Sequence, residues 1–177
     1  VKRSQIPGRG LLGYLTRWPI AIPGSVIAVS LLYTYIRPPL QLIGTIWILL
    51  LAYLIRNLPY AYSAAYAGLS RVDPALEEAA RIHSTPPGRT FFRIIVPLTI
   101  PSVMAGWVIV FINALRELPA SLLLFSSGNE TISVAIYEMF EEGAFQLTNA
   151  AALMTLLSLV TILPAIIIKL RSRESGH

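Results

Sequence analysis

The chain has no cysteine, which excludes a disulfide framework and a cysteine-ligated metal and leaves the redox compartment open. Charge is scarce: Asp, Glu, Lys and Arg make up 13% of the 177 residues, against about 25% in an ordinary soluble domain. A soluble fold of this size needs more polar surface than that. The apolar fraction is 55% and the mean hydropathy +0.65. These values exclude a disordered chain, a coiled coil and an ordinary soluble enzyme. What the sequence does have is long hydrophobic runs. The net charge of +5 therefore matters through where the charges sit, not through its total.

Crossing a bilayer core of about 30 Å takes roughly 20 helical residues. Four runs approach or exceed that length and predict spans at about 18–36, 38–58, 94–116 and 147–168. Trp18–Ile36 lies inside the chain with three further runs behind it, so it reads as a span and not a signal peptide. Leu118–Asn129 is uncharged but too short to cross, and reads as re-entrant or interfacial. With four spans, one side of the membrane holds Lys2, Arg3, Arg9, Arg17, Arg56, Arg71, Arg81, Arg89, Arg93, Lys169, Arg171 and Arg173, 12 of the 14 basic residues. The positive-inside rule places that side, with both termini and the central loop, in the cytoplasm, and leaves Arg37, Arg116 and Glu117 on the outer side. The expected fold class is all-α: a polytopic membrane protein with four transmembrane helices. Pro23-Gly24, Pro97, Pro101 and Pro164 fall inside the runs, where proline kinks a helix. Such breaks suit either packing geometry or a transport pathway. Ala105-Gly106 and Ala150–Ala152 allow close helix approach.

The loop 70–93 between the second and third spans carries the most information. Asp73-Pro74 has the form of an N-cap followed by proline at the first helical position. Glu77 and Glu78 then lie near the positive end of the helix dipole. Pro86-Pro87-Gly88 must end the helix. Leu76, Ala79, Ala80 and His83 share one side at helical spacing, and Glu77, Glu78 and Arg81 the other. So short a helix buries little by itself. It is either a solvated connector or a docking element, and the compact Ala-Ala step favours docking.

Glu78-Ala79-Ala80, Ser84, Ile94 and Val96-Pro97 resemble the EAA loop of inner-membrane permeases of binding-protein-dependent ATP-binding-cassette importers. The family pattern is Glu-Ala-Ala, three residues, Gly, nine residues, Ile, one residue, Leu-Pro, and the spacing is kept throughout. Arg81, Pro87, Arg89, Thr90, Phe91 and Arg93 also accompany the motif. Ser84 stands in place of Gly, so any left-handed turn there must tolerate a Cβ. His83 stands where an apolar residue is commoner, and reads as a half-exposed polar contact. The resemblance implies a partial type I importer transmembrane domain with a cytoplasmic coupling helix seated on the ATP-hydrolysing subunit. Glu78 would make the charged contact there, and Ala79 and Ala80 would allow close packing. Glu77, Arg81, Ser84, Pro87 and Arg89 complete the expected coupling group.

Glu117-Leu118-Pro119-Ala120-Ser121-Leu122-Leu123-Leu124 is similar to a Glu-Leu-Pro-Ala-Thr-Leu-Leu-Leu stretch of ferric-iron importer permeases. Thiamine, polyamine and phosphonate permeases are close relatives of that branch and stand as alternatives. Asn113, Arg116, Glu117, Pro119 and Ser121 are the candidates for a pathway or gate. Ionisable residues at a membrane edge are costly unless paired or facing water, so Arg116-Glu117 reads as a gate or as an interfacial salt bridge. Thr131–Phe140 puts Ile132, Ala135, Ile136, Met139 and Phe140 on one face, as an outer-surface amphipathic helix would. Glu138, Glu141 and Glu142 read as a solvated acidic face, not a metal site.

No Gly-rich phosphate loop of the Walker type occurs, so the chain binds no cofactor of its own and ATP is used by a partner. A membrane-embedded enzyme would need a Ser-His pair or paired acids within the spans. His83 and His177 lie outside the spans, which disfavours that class, and a structural membrane protein is the third possibility. The partners implied are ATPase subunits, a periplasmic or extracellular binding protein, a second permease domain and the lipid bilayer, with no nucleic acid. The implied location is a bacterial or archaeal cytoplasmic membrane. Domains of the family have five or six spans, so four spans imply the C-terminal part of a longer chain.

Overall fold

The computed structural model describes residues 9–82, 84, 86–143 and 146–174, and the expectations for Lys2, Arg3, His83 and His177 lie outside them. The elements are α1 (Arg9–Leu15), a 3-10 turn (Trp18–Ala21), α2 (Gly24–Tyr35), α3 (Ile46–Arg71), α4 (Pro74–Ile82), α5 (Pro87–Thr90), a π turn (Phe91–Ile95), α6 (Val96–Leu115), α7 (Ser121–Leu124), α8 (Ile132–Glu141) and α9 (Leu147–Glu174). No strand occurs among the described residues, as the all-α expectation requires.

Three of the expected spans differ in detail, the third being helical already from Pro87 and not from 94. The run 18–36 is not one helix: the chain turns through 103° at Ile22-Pro23, between Gly10–Ala21 and Gly24–Tyr35. Pro23 has no N–H to give and its ring blocks the preceding turn. The helix expected at 38–58 begins only at Ile46 and runs on to Arg71. Residues 38–45 instead form turns around Pro38-Pro39 and Gly44, whose φ is +78°. Among the described residues, Pro87–Leu115 and Leu147–Pro164 are continuous helices long and apolar enough to cross a membrane, and the bent pair would make a third. α3 has the length, but Arg56, Asn57 and four tyrosines dilute its apolar character.

Contacts divide the chain into two compact units. One comprises Val1–Trp18 and Leu58–Val110. Here the later part of α3 and α6 approach closely because small residues face each other. A Cβ on Gly68 would lie 3.1 Å from the Ser102 Cβ and 3.3 Å from that of Thr99, and one on Gly106 would collide with the Ala64 Cβ. Gly106 therefore has the packing role that its sequence suggested. The π turn ends just before Pro97, whose ring would meet the Arg93 carbonyl in a regular α-turn. In the same unit the Arg17 guanidinium lies over the Tyr62 ring, 5.8 Å from its centroid.

The other unit comprises Pro19–Asn57 and Phe111–His177. Its core joins Ile27, Ala28 and Leu31 of α2, Ile48, Leu49 and Ala52 of α3, and Ala120 and Leu124 at α7. The uncharged stretch 118–129 thus contributes a four-residue helix packed on α2. α8 starts at Thr131, whose Oγ1 accepts the Val134 N–H at 3.4 Å. Its buried side is Ser133, Val134 and Ile136, while Ile132 and Phe140 are exposed. This corrects the expected apolar face, because α8 rests on α9 and not on a surface alone. Before α8, Glu130 accepts the Gly128 N–H at 2.9 Å, and that bond holds its carboxyl below the usual value.

Candidate functional site

α4 is built as its sequence dictates. Asp73 caps it, its Oδ1 accepting the Ala75 N–H at 2.9 Å, with Pro74 in the first turn. The helix ends at Ile82, and Ser84 follows with a φ of +52°. Among the described residues Ser84 is the single non-glycine with positive φ. Its N–H reaches the Arg81 carbonyl at 3.0 Å, a left-handed close to the helix. Glycine takes this backbone without penalty, and Ser84 adopts it despite its Cβ.

The exposed side of α4 carries Leu76, Glu78, Ala79, Arg81 and Ile82, the last 81% exposed. Ala80 is 7% exposed, with Glu77 half-buried three residues earlier on the same side. This corrects the expected faces: Ala80 packs inward, so Ala79 and not Ala80 is free for close approach from outside. Pro87 and Arg89 are exposed at the start of α5. α4 is joined to α3 by two residues and to the continuous helix Pro87–Leu115 by four.

The pathway candidates fall in the other unit, and the structure separates them. Asn113 is half-buried near the end of α6, and Arg116 and Pro119 are exposed. Glu117 is 7% exposed and Ser121 fully buried. The ion-pair partner of Glu117 is not its neighbour Arg116 but Arg56, whose Nε donates to Oε2. Arg56 also donates from Nη1 to the Ile22 carbonyl at 3.2 Å. The other carboxylate oxygen accepts the Ala120 N–H at 3.2 Å. The Glu117 carbonyl accepts from both Ser121 Oγ (2.5 Å) and Ser133 Oγ (2.9 Å). Because the Ser121 hydroxyl is committed there, Tyr53 Oη must donate to it across 2.6 Å. Beside this group, Asn57 donates to the Tyr53 carbonyl at 2.9 Å, and its buried Oδ1 has no hydrogen-bond partner among the described residues.

This polar centre ties together the break before α2, the middle of α3 and the α6–α7 connection. It also corrects the sidedness expected of two residues. Arg56 and Glu117 were expected on opposite faces of the membrane, and their contact forbids that. The cause is the late start of α3: beginning at Ile46 and not Pro38, it carries Arg56 in its interior and not at its end. Tyr53 and Asn57 were not singled out by the sequence, Gly24 was read only as part of a helix break, and Arg56 only as a cytoplasmic charge. The available signal was Gly44 and the proline pair, which exclude a helix running from Pro38. No group of three or more His, Cys, Asp or Glu able to hold a metal occurs among the described residues. Glu138, Glu141 and Glu142 are exposed.

Residues 5–171 match the family described as binding-protein-dependent transport system inner membrane component. The chain belongs to that family. Among curated relatives, it is 32% identical over 151 residues to an Fe(3+)-transport system permease protein of Haemophilus influenzae, covering 81% of this chain and 30% of that protein. It is 28% identical to a putative 2-aminoethylphosphonate transport system permease protein of Salmonella typhimurium, covering 82% and 54%. It is 30% identical to a spermidine/putrescine transport system permease protein of Escherichia coli, covering 88% and 58%. The chain thus spans from under a third to somewhat over half the length of these relatives. As a member of this family it is an inner-membrane component, in keeping with its apolar helices.

Proposed function

We propose that the chain is the transmembrane subunit of an ATP-driven importer, forming the translocation path and coupled through α4 to a separate ATPase subunit. The observation that carries this reading is the exposed face of α4: Leu76, Glu78, Ala79 and Ile82 are presented outward on a capped helix held by short connections between two long helical runs. A short helix held at both ends moves with its neighbours, so displacement of its face is passed to them. Hydrolysis belongs to the partner, and a binding protein on the other side delivers the solute. A second permease domain, in the same or another chain, completes the path. In this topology the termini of the segment and α4 face the cytoplasm.

The substrate we propose is ferric iron. The stretch Glu117–Leu124 and the relative named for Fe(3+) transport support it. The relatives named for phosphonate and polyamine transport support a second reading, in which another small solute is carried. Uptake of labelled ferric iron, spermidine and 2-aminoethylphosphonate by cells with and without the intact permease gene separates the two. Loss of ferric uptake alone is expected. Loss of spermidine or phosphonate uptake with ferric uptake unchanged would overturn the iron assignment.

A further inference from the structure

We infer that the Arg56–Glu117 ion pair, with Gly24 seated against it, is a latch that holds the resting state of the transport cycle. This inference rests on the importer reading above and adds positioning residues to it. Three observations carry it. First, the pair stands in an apolar unit, where ionisable groups are costly. Glu117 is buried but the Arg56 side chain is 32% exposed, and an ion pair so placed commonly adds little to stability, so bare stability does not account for it. Second, its partners come from places where the chain changes direction. The Ile22 carbonyl, held by Arg56, precedes the 103° bend at Pro23. Glu117 follows the end of α6 and, through its carbonyl, fixes the Ser121 and Ser133 hydroxyls at the starts of α7 and α8. One ion pair to the rigid interior of α3 therefore sets two chain breaks at once.

Third, α2 starts on the carboxylate itself. A Cβ on Gly24 would lie 2.6 Å from Glu117 Oε1 and 3.4 Å from Arg56 Cζ, so any larger residue there must displace the carboxylate. The arrangement is not one of complete satisfaction. Asn57 Oδ1, next to Arg56 in the chain, is a buried acceptor without a donor among the described residues, and an arrangement with the latch open could supply one. In the closed state both breaks are fixed, and the helices they join can reorient only after Arg56 and Glu117 part. Weakening the pair lowers that cost and shifts the population toward the moved state without any signal from outside.

The test is ATP hydrolysis by the full permease assembled with its ATPase subunit in lipid vesicles, with no binding protein and no substrate added. Glu117→Gln removes the charge at nearly constant shape, and Gly24→Ala displaces the carboxylate without altering any charge. Each is expected to raise the basal rate about fivefold or more, the scale of an ordinary allosteric coupling. A double variant, Arg56→Met with Glu117→Leu, is expected to assemble with an unchanged melting temperature and to show the same raised rate. Rates equal to or below wild type in all three variants would overturn the latch and leave the pair a packing feature. Wild-type vesicles that hydrolyse no ATP even after binding protein and substrate are added would overturn the importer reading and the latch with it.

Discussion

At Ser84 a single residue shows what its chemistry allows and what it resists. A φ of +52° costs an L-residue with a Cβ roughly 1–2 kcal/mol relative to glycine. Glycine recovers that but loses more chain entropy on folding, about 0.5–1 kcal/mol. Ser84→Gly is therefore expected to raise stability by up to about 1.5 kcal/mol. Ser84→Val, β-branched at a left-handed position, is expected to lower it by more than about 1 kcal/mol. Thermal unfolding of the detergent-solubilised protein measures both. The Cβ problem at Ser84 was legible beforehand because the motif spacing put it where a glycine is usual. Glu117 was legible as a costly ion at a membrane edge. Its partner was not: Arg56 and Glu117 are 61 residues apart, and no local pattern joins residues so far apart. The inward turn of Ala80 was hidden for a related reason. Glu78-Ala79-Ala80 names residue types, and only the packing of α4 decides which alanine remains outside.

Elements whose ends carry their own chemistry were read well. Asp73-Pro74 settles the start of α4 through a local hydrogen bond and fixed φ, whereas Pro86-Pro87-Gly88, read only as a stop, also opens the helix that runs on to Leu115. Elements defined by hydrophobic runs alone were read less well. The run 38–58 gave no sign of where its helix starts, and eight residues of it form turns. The run 18–36 contained its own break at Pro23. In the third run the break was placed at Pro97, and the helix answers it with a π turn instead of ending. Gly106 illustrates a role that spacing only suggests. Its meaning lies in Ala64 on another helix, where a Cβ has no room. Gly106→Val is expected to destabilise by about 2–3 kcal/mol, through overpacking that forces α3 and α6 apart. Gly88, which has open space around it, is the control: Gly88→Val should shift the melting temperature far less than Gly106→Val does.

For the molecule as a whole, membership of the family is secure, and the apolar helices bring the chain to a membrane. Charge distribution was a coarser guide. The basic residues pointed to one side of the membrane, but counting them assigned Arg56 to a helix end when it lies inside a helix. The proposed coupling to an ATPase subunit rests on the exposed face of α4, since the chain contains no Walker-type phosphate loop of its own. The most direct test is a charge reversal on that face, Glu78→Arg, in the intact transporter. The permease is purified from membranes while uptake is followed in the same cells. The account predicts normal amounts of permease in the membrane, loss of the co-purifying ATPase subunit and a fall in uptake of at least about tenfold, as reversing a charge in a closely packed interface entails. Retention of the ATPase subunit together with undiminished uptake would contradict it.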